Sequence, residues 1–202
     1  MRLPKSILLG GLLCLAVAAC GETRLARSDE TRAPSGSELA AAEARARAAA
    51  DTLFTRLNAE LMAALQAGGP EAAVDICKLR APAIAAEIEA QSGVDIERTA
   101  LRVRNPGNAP SPWEREMLAA FEARHAAGEA WQGMESRRVS DGVLHWMRPI
   151  PMGGMCVACH GGDEVAPETA AAIAAAYPRD AARGFAVGQL RGGFSARVPL
   201  GR

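Results

Sequence analysis

The chain has 202 residues, 49% hydrophobic and 23% charged, with 23 basic and 23 acidic side chains and a formal net charge of +0. Nothing in this balance suggests a nucleic-acid partner, which asks for a basic face. The length suits one domain with a real core.

Arg2 and Lys5 precede an apolar run, Ile7 to Ala19, that ends in Val17-Ala18-Ala19-Cys20-Gly21. A basic start, a short apolar stretch and small residues before a cleavage point predict a secretory signal over 1–19. The run is short of the roughly 20 residues that a membrane-spanning helix needs. Val-Ala-Ala-Cys resembles the bacterial lipobox, in which cleavage precedes the cysteine and its thiol takes diacylglycerol. Cys20 is thus the predicted lipidation site, with membrane lipid as partner and a periplasm-facing position in the cell envelope; a plain secreted protein is the alternative. Gly21 rather than Asp follows, so nothing argues for retention at the inner membrane. Losing Arg2 and Lys5 with the signal leaves a slight acidic excess. Residues 20–36 are polar and poor in anything to bury, which reads as a flexible tether, and 37–202 form the domain.

Ser35-x-x-Glu38 is a capping box opening a helix through about Gln66. Leu53, Phe54, Leu57, Leu61 and Leu65 recur at helical spacing and give it one apolar face. Gly68-Gly69 stops that helix and Pro70 begins the next, which carries Val74, Cys77 and Ala81 on one face and is broken or restarted at Pro82. Arg98 to Arg104 alternates, with Thr99, Leu101 and Val103 on one side and Arg98, Arg102 and Arg104 on the other, as in a half-buried strand. Asn105-Pro106-Gly107-Asn108 is a turn. Ser111-Pro112-Trp113-Glu114 opens another helix, lined by Met117, Leu118, Phe121 and His125. Strands near 131–139 and 143–150 join at Ser140-Asp141-Gly142, a hairpin turn. A helix from Pro167 to about Ala176 and a last strand with Phe194, Ala196 and Val198 complete an α+β pattern.

Between the second of those strands and the helix at Pro167 lies Cys156-Val157-Ala158-Cys159-His160. Cys-x-x-Cys-His is the attachment signature of a c-type haem. Two thiols at this spacing reach the two vinyl groups of one porphyrin as thioethers, and the next residue, His160, offers its imidazole to the iron. A redox dithiol would sit in a βαβ pattern, whereas this one follows a Pro/Gly/Met loop. A zinc ribbon needs a second cysteine pair, and none follows. One motif predicts one covalent haem c. Export agrees with it, because c-type attachment in bacteria takes place outside the cytoplasm. With Cys14 in the signal, Cys20 lipidated and Cys156 and Cys159 on haem, Cys77 is left over, either paired elsewhere or a functional thiol.

Several stretches together resemble the Tll-type, PAS-like c-type haem domain family. They are Ala73-Val74-Asp75-Ile76-Cys77, Arg98 to Pro106, Met147-Arg148-Pro149-Ile150 running to Cys156, and Tyr177-Pro178 through Gly184-Phe185 to Arg191-Gly192-Gly193-Phe194-Ser195 and Pro199-Leu200. They span about 50–200. The resemblance implies a PAS-like antiparallel sheet with flanking and N-terminal helices. It also implies a haem bound by Cys as well as His, and redox or small-molecule sensing, or electron transfer, outside the cytoplasm. His145-Trp146 stands where the family pattern would have Tyr-rich strand residues.

His160 is the proximal ligand by spacing, and Cys77 occupies the family's second ligand position, its bland reading being a small buried hydrophobe. Met147, Met152 and Met155 are thioethers near the attachment site, as His/Met cytochromes use; His145, His125 and an open iron position complete the alternatives. Arg102, Arg104 and Arg148 are candidates to pair with haem propionates, against a solvated strand face. Trp113, Trp131 and Trp146 read as core or haem wall. Two function classes remain open. One is a sensor or electron carrier without turnover, meeting a redox or signalling partner and taking CO or NO as ligand. The other is a small haem enzyme of peroxidase type, which needs an open iron position and a distal acid/base pair.

Overall fold

A computed structural model describes residues 33–201. The predicted signal over 1–19, the lipidation site Cys20 and most of the tether lie outside the described residues. Helix α1 (Gly36–Asp75) starts where its cap predicts. The Ser35 hydroxyl accepts from Glu38 N–H at 3.2 Å, and Ser35 N–H donates to the Glu38 carboxylate at 2.6 Å. Ala42, Ala46, Ala49, Ala50, Leu53 and Leu57 then form a buried stripe. Further along the same helix Phe54 is 53% exposed, and Leu61 and Leu65 are only half-buried. They line a cavity, where the Phe54 ring meets that of Phe194 edge-on at 6.5 Å.

Gly69 leaves helical geometry at φ 68, ψ −160, just before Pro70. The expected stop, and the restart at Pro70, thus fall at a kink where two helical segments meet, at a backbone conformation glycine takes at little cost. The path widens into a π turn, Ile76–Arg80, before α2 (Ala81–Ser92). Pro82 has no N–H to donate and disfavours an ordinary α turn behind it, and Ala81 N–H reaches back five residues to Ile76 O. Such π turns recur at functional sites. This one carries Cys77.

Strands β1 (Asp95–Thr99), β2 (Ser136–Ser140), β3 (Val143–Pro151) and β4 (Leu190–Pro199) form an antiparallel sheet in the order β1-β4-β3-β2. With the long N-terminal helix this is the α+β architecture expected. The β2–β3 turn has positive φ at Asp141 and Gly142, 53° and 70°, as a two-residue primed turn requires. β1 corrects the strand expected over Arg98–Arg104. It ends at Thr99, because the Pro106–Asn108 turn folds back and Asn108 O takes both Thr99 Oγ1–H and Ala100 N–H. Beyond it the alternation is lost: Leu101 is 38% exposed while Arg104 is 8% exposed.

One sheet face, with Ile96, Leu144, Trp146, Phe194, Ala196 and Val198, packs on α1 and α2. The other carries Met147 and Leu190 against Trp113, Leu118 and Phe121 of α3 (Pro112–Ala126). Two helices complete the frame around the motif, α4 (Val157–His160) and α5 (Pro167–Ala176), the latter packed on Val74 of α1 through Ile173. Among the described residues no helix is long and apolar enough to cross a membrane.

Candidate functional site

β3 runs out at Pro151, and the chain is anchored there by Met152 N–H to Gln189 O at 2.8 Å. A 3-10 turn (Gly154–Cys156) then leads into α4, so Cys156, Cys159 and His160 share one short helical turn. Gly161 closes it, where a Cβ would meet Val157 O at 2.6 Å. His160 Nδ1–H donates to Ala182 O at 2.9 Å, which leaves the lone pair on Nε2, facing Arg191 Nε at 3.5 Å. Burial, followed by the positive charges of Arg191 and Arg104, pushes the imidazole pKa down to about 3. A neutral ring held through its outer nitrogen is the form that ligates a metal.

Arg104 fixes this geometry from a distance in sequence. Its guanidinium donates to Cys159 O at 2.6 Å, to Ala182 O at 3.1 Å and to both Asp180 carboxylate oxygens at 3.2 Å. The Arg104 and Asp180 side chains are 9% and 2% exposed. One buried ion pair thus ties the haem motif to the loop that orients His160.

Cys77, Cys156, Cys159 and His160 all line one cavity. Its apolar walls include Phe54, Leu57, Leu61 and Leu65 from α1 and Ile150 and Phe194 from the sheet. Burial raises the Cys159 thiol pKa. Of the alternative ligands only Met155, 47% exposed, reaches the cavity. Met147 is buried in the α3-side core, and Met152 packs with Ala182 and Phe185. His125 stacks on Trp131 at 3.9 Å, and His145 lies edge-on to Trp113 at 5.8 Å. Trp113 and Trp146 are core residues, and Trp131 donates to Gly188 O at 2.8 Å; none of the three is a cavity wall.

The arginines are redistributed. Arg102 donates to Arg183 O at 2.8 Å and lies 3.5 Å over Phe185, while Arg148 pairs with Asp51 at 2.7 Å; neither lines the cavity. Arg104 does, but Asp180 already holds it. The cations directed at the cavity without a carboxylate partner among the described residues are Arg98 and Arg191. Burial lowers both, Arg191 to about 10. Tyr177 joins them, its hydroxyl raised to about 12 by burial and then by Cys77. Arg98, which lies within β1, was not among the arginines expected at the site. Arg191 carries no sequence signal beyond its place in the Arg-Gly-Gly run.

An apolar cavity with two thiols and a metal-ready imidazole on one turn, a third thiol from another element and, in Arg191, a guanidinium without a carboxylate partner fits a c-type haem with its carboxylates. Among the described residues no three His, Cys, Asp or Glu side chains gather as a metal centre, so the donors that a zinc site would add to Cys156 and Cys159 are not grouped there. A family described as Tll0287-like matches residues 35–199. The fold is similar to the crystal structure of the cyanobacterial heme-protein Tll0287, with 26% identity and a TM-score of 0.57, over 82% of this chain and 96% of that one. Among curated proteins none matches.

Proposed function

The chain belongs to the Tll0287-like family, and we propose that it is an exported, lipid-anchored haem protein that senses redox state or a small ligand, or carries electrons, without turnover of its own. The observation that carries this reading is the convergence of Cys77, Cys156, Cys159 and His160 on one cavity. In this proposal Cys156 and Cys159 would hold a single haem c by thioether bonds, and His160 and Cys77 would be the ligands of its iron. The haem supplies an iron that changes oxidation state by one electron and can take ligands such as CO or NO.

The protein's own groups set how that iron behaves. Ala182 O fixes the His160 tautomer and ring plane, and Arg104 holds the same carbonyl in place. Cys77, as an anionic sulfur ligand, favours the ferric state, so the potential lies below that of a His/Met site, whose thioether raises it. Because ferrous iron would hold an anionic sulfur less strongly than ferric iron, Cys77 would be the group that yields its place to CO or NO in the reduced protein. Cys20, under its lipid, would hold the domain at the periplasmic surface of a membrane, near an electron donor or signalling partner.

A peroxidase reading is less well supported. It calls for a distal imidazole, and the two spare histidines, His125 and His145, pack on Trp131 and Trp113 instead.

The test is purification of the protein after expression with a c-type maturation system. Haem should stay with the denatured polypeptide through acidified acetone, at one per chain, and Cys156→Ala or Cys159→Ala should weaken that retention. Full extraction of the haem would overturn the covalent reading.

A further inference from the structure

Two cavities meet at Cys77. The second lies between α2 and β1, with Ala81, Ala85, Asp95 and Glu97 in its walls, and it shares Cys77, Arg98, Asn105 and Asn108 with the first. The shared wall concentrates spare hydrogen-bond donors. The Arg98 guanidinium has no hydrogen bond, ion pair or ring contact among the described residues, and the Asn108 carboxamide makes no hydrogen bond; Asn105 engages only its Oδ1, at 3.0 Å from Gly107 N. The nearby carboxylates are occupied or peripheral. Arg197 holds Asp95 and Glu97, whose side chains alternate with that of Arg98 along β1, and Glu89 is exposed.

Cavity lining assigns Arg98 to the thiol's side of the site. Arg98 and Cys77 line both cavities, whereas His160, Arg104 and Arg191 line only the first. We propose that Arg98 and the Asn108 carboxamide form a binding site for a small inorganic anion on the Cys77 side of the haem, reached through the second cavity once the thiol has left the iron. This rests on the reading of Cys77 as an axial ligand. A half-buried guanidinium without a partner is unfavourable, and an anion beside it offsets that cost through charge-assisted hydrogen bonds. A neutral diatomic ligand gains much less from the same group. The wall therefore selects ligands by charge.

The probes are azide, anionic at neutral pH, and nitric oxide, neutral, each titrated anaerobically into ferric holoprotein and followed by the shift of the main haem absorption band. Cys77→Ala should bind both. Adding Arg98→Gln should weaken azide by about tenfold or more, equivalent to about 1.4 kcal/mol, and leave nitric oxide nearly unchanged. Arg98→Lys in the same background should retain most of the azide affinity. Azide that does not bind, equal losses for both ligands, as from an Arg98 that pairs with a propionate, or no loss for either would overturn the proposal. If nitric oxide also fails to bind Cys77→Ala, the axial-cysteine reading falls with it. Should Arg98→Gln not fold, Asn108→Ala carries the test, because it too must weaken azide more than nitric oxide, and equal effects overturn the proposal.

Discussion

His160 Nδ1 lies 2.9 Å from the carbonyl oxygen of Ala182, and that oxygen also accepts from Arg104 at 3.1 Å. One backbone atom thus orients the imidazole and receives the side chain that holds the haem motif. The orientation of His160 is set by a loop 22 residues further along the chain, so changes in that loop should be felt at the iron.

Arg104→Met should destabilise the fold by about 3 kcal/mol, the usual cost of removing one partner of a buried pair. It leaves buried Asp180 with only Arg183 and the Ala182 N–H, and withdraws a donor from the Cys159 and Ala182 carbonyls. Denaturant unfolding followed by circular dichroism measures it. A loss under about 0.5 kcal/mol, typical of exposed sites, would mean that Arg104 does not tie these segments.

Acid should reach the same pair. Burial alone would raise the Asp180 pKa, but hydrogen bonds from Arg104, Ala182 N–H and Arg183 outweigh it and hold the carboxyl below the usual range. A carboxylate depressed in the folded state stabilises it above the unfolded value, about 3.9. That contribution disappears as pH falls through the lower, folded value. Wild-type stability should therefore decline steeply below about pH 4, whereas Asp180→Asn, weaker at neutral pH, should lack this component. Parallel acid curves for the two proteins would contradict the assignment.

Cys77→Ala should convert the ferric haem spectrum from a low-spin, thiolate-ligated form to one with an open or water-filled position, and raise the reduction potential. Met155→Leu, at the other sulfur candidate that reaches the cavity, should alter neither. If the two variants exchange these behaviours, the thioether is the ligand and Cys77 only packs.

Cys20→Ser should move the protein from the membrane to the soluble fraction, since each buried methylene of a lipid anchor contributes about 0.8 kcal/mol to membrane attachment. Mass spectrometry of the mature N-terminal peptide supplies the second measurement. Unchanged membrane association and a peptide without lipid mass would remove the anchor from the account.

Local chemistry wrote the sequence-legible part of this protein. Ser35 with Glu38 and Ser111 with Glu114 close capping boxes within one turn of chain, and Asp141-Gly142 supplies the two positive φ values that its hairpin needs. Cys156, Cys159 and His160 are legible for the same reason: haem attachment depends on spacing within five residues. Long-range competition decided the rest. Arg98 to Arg104 alternates like a strand, yet Asn108 O takes the donors at Thr99 and Ala100, so β1 stops and Arg104 turns inward to Asp180. Phe54, Leu61 and Leu65 carry the same helical signal as the core residue Leu53, with Leu57 serving as both core and wall, and only the packing of α1 against the sheet separates cavity wall from core. The sequence by itself determined the caps, the turn and the attachment motif, since each is satisfied by neighbours along the chain. Only the tertiary structure decided that Cys77 joins that motif, that Met147, Met152, His125 and His145 do not, and that Arg98 and Arg191 face the cavity. Those placements depend on which elements meet, and no local pattern encodes that.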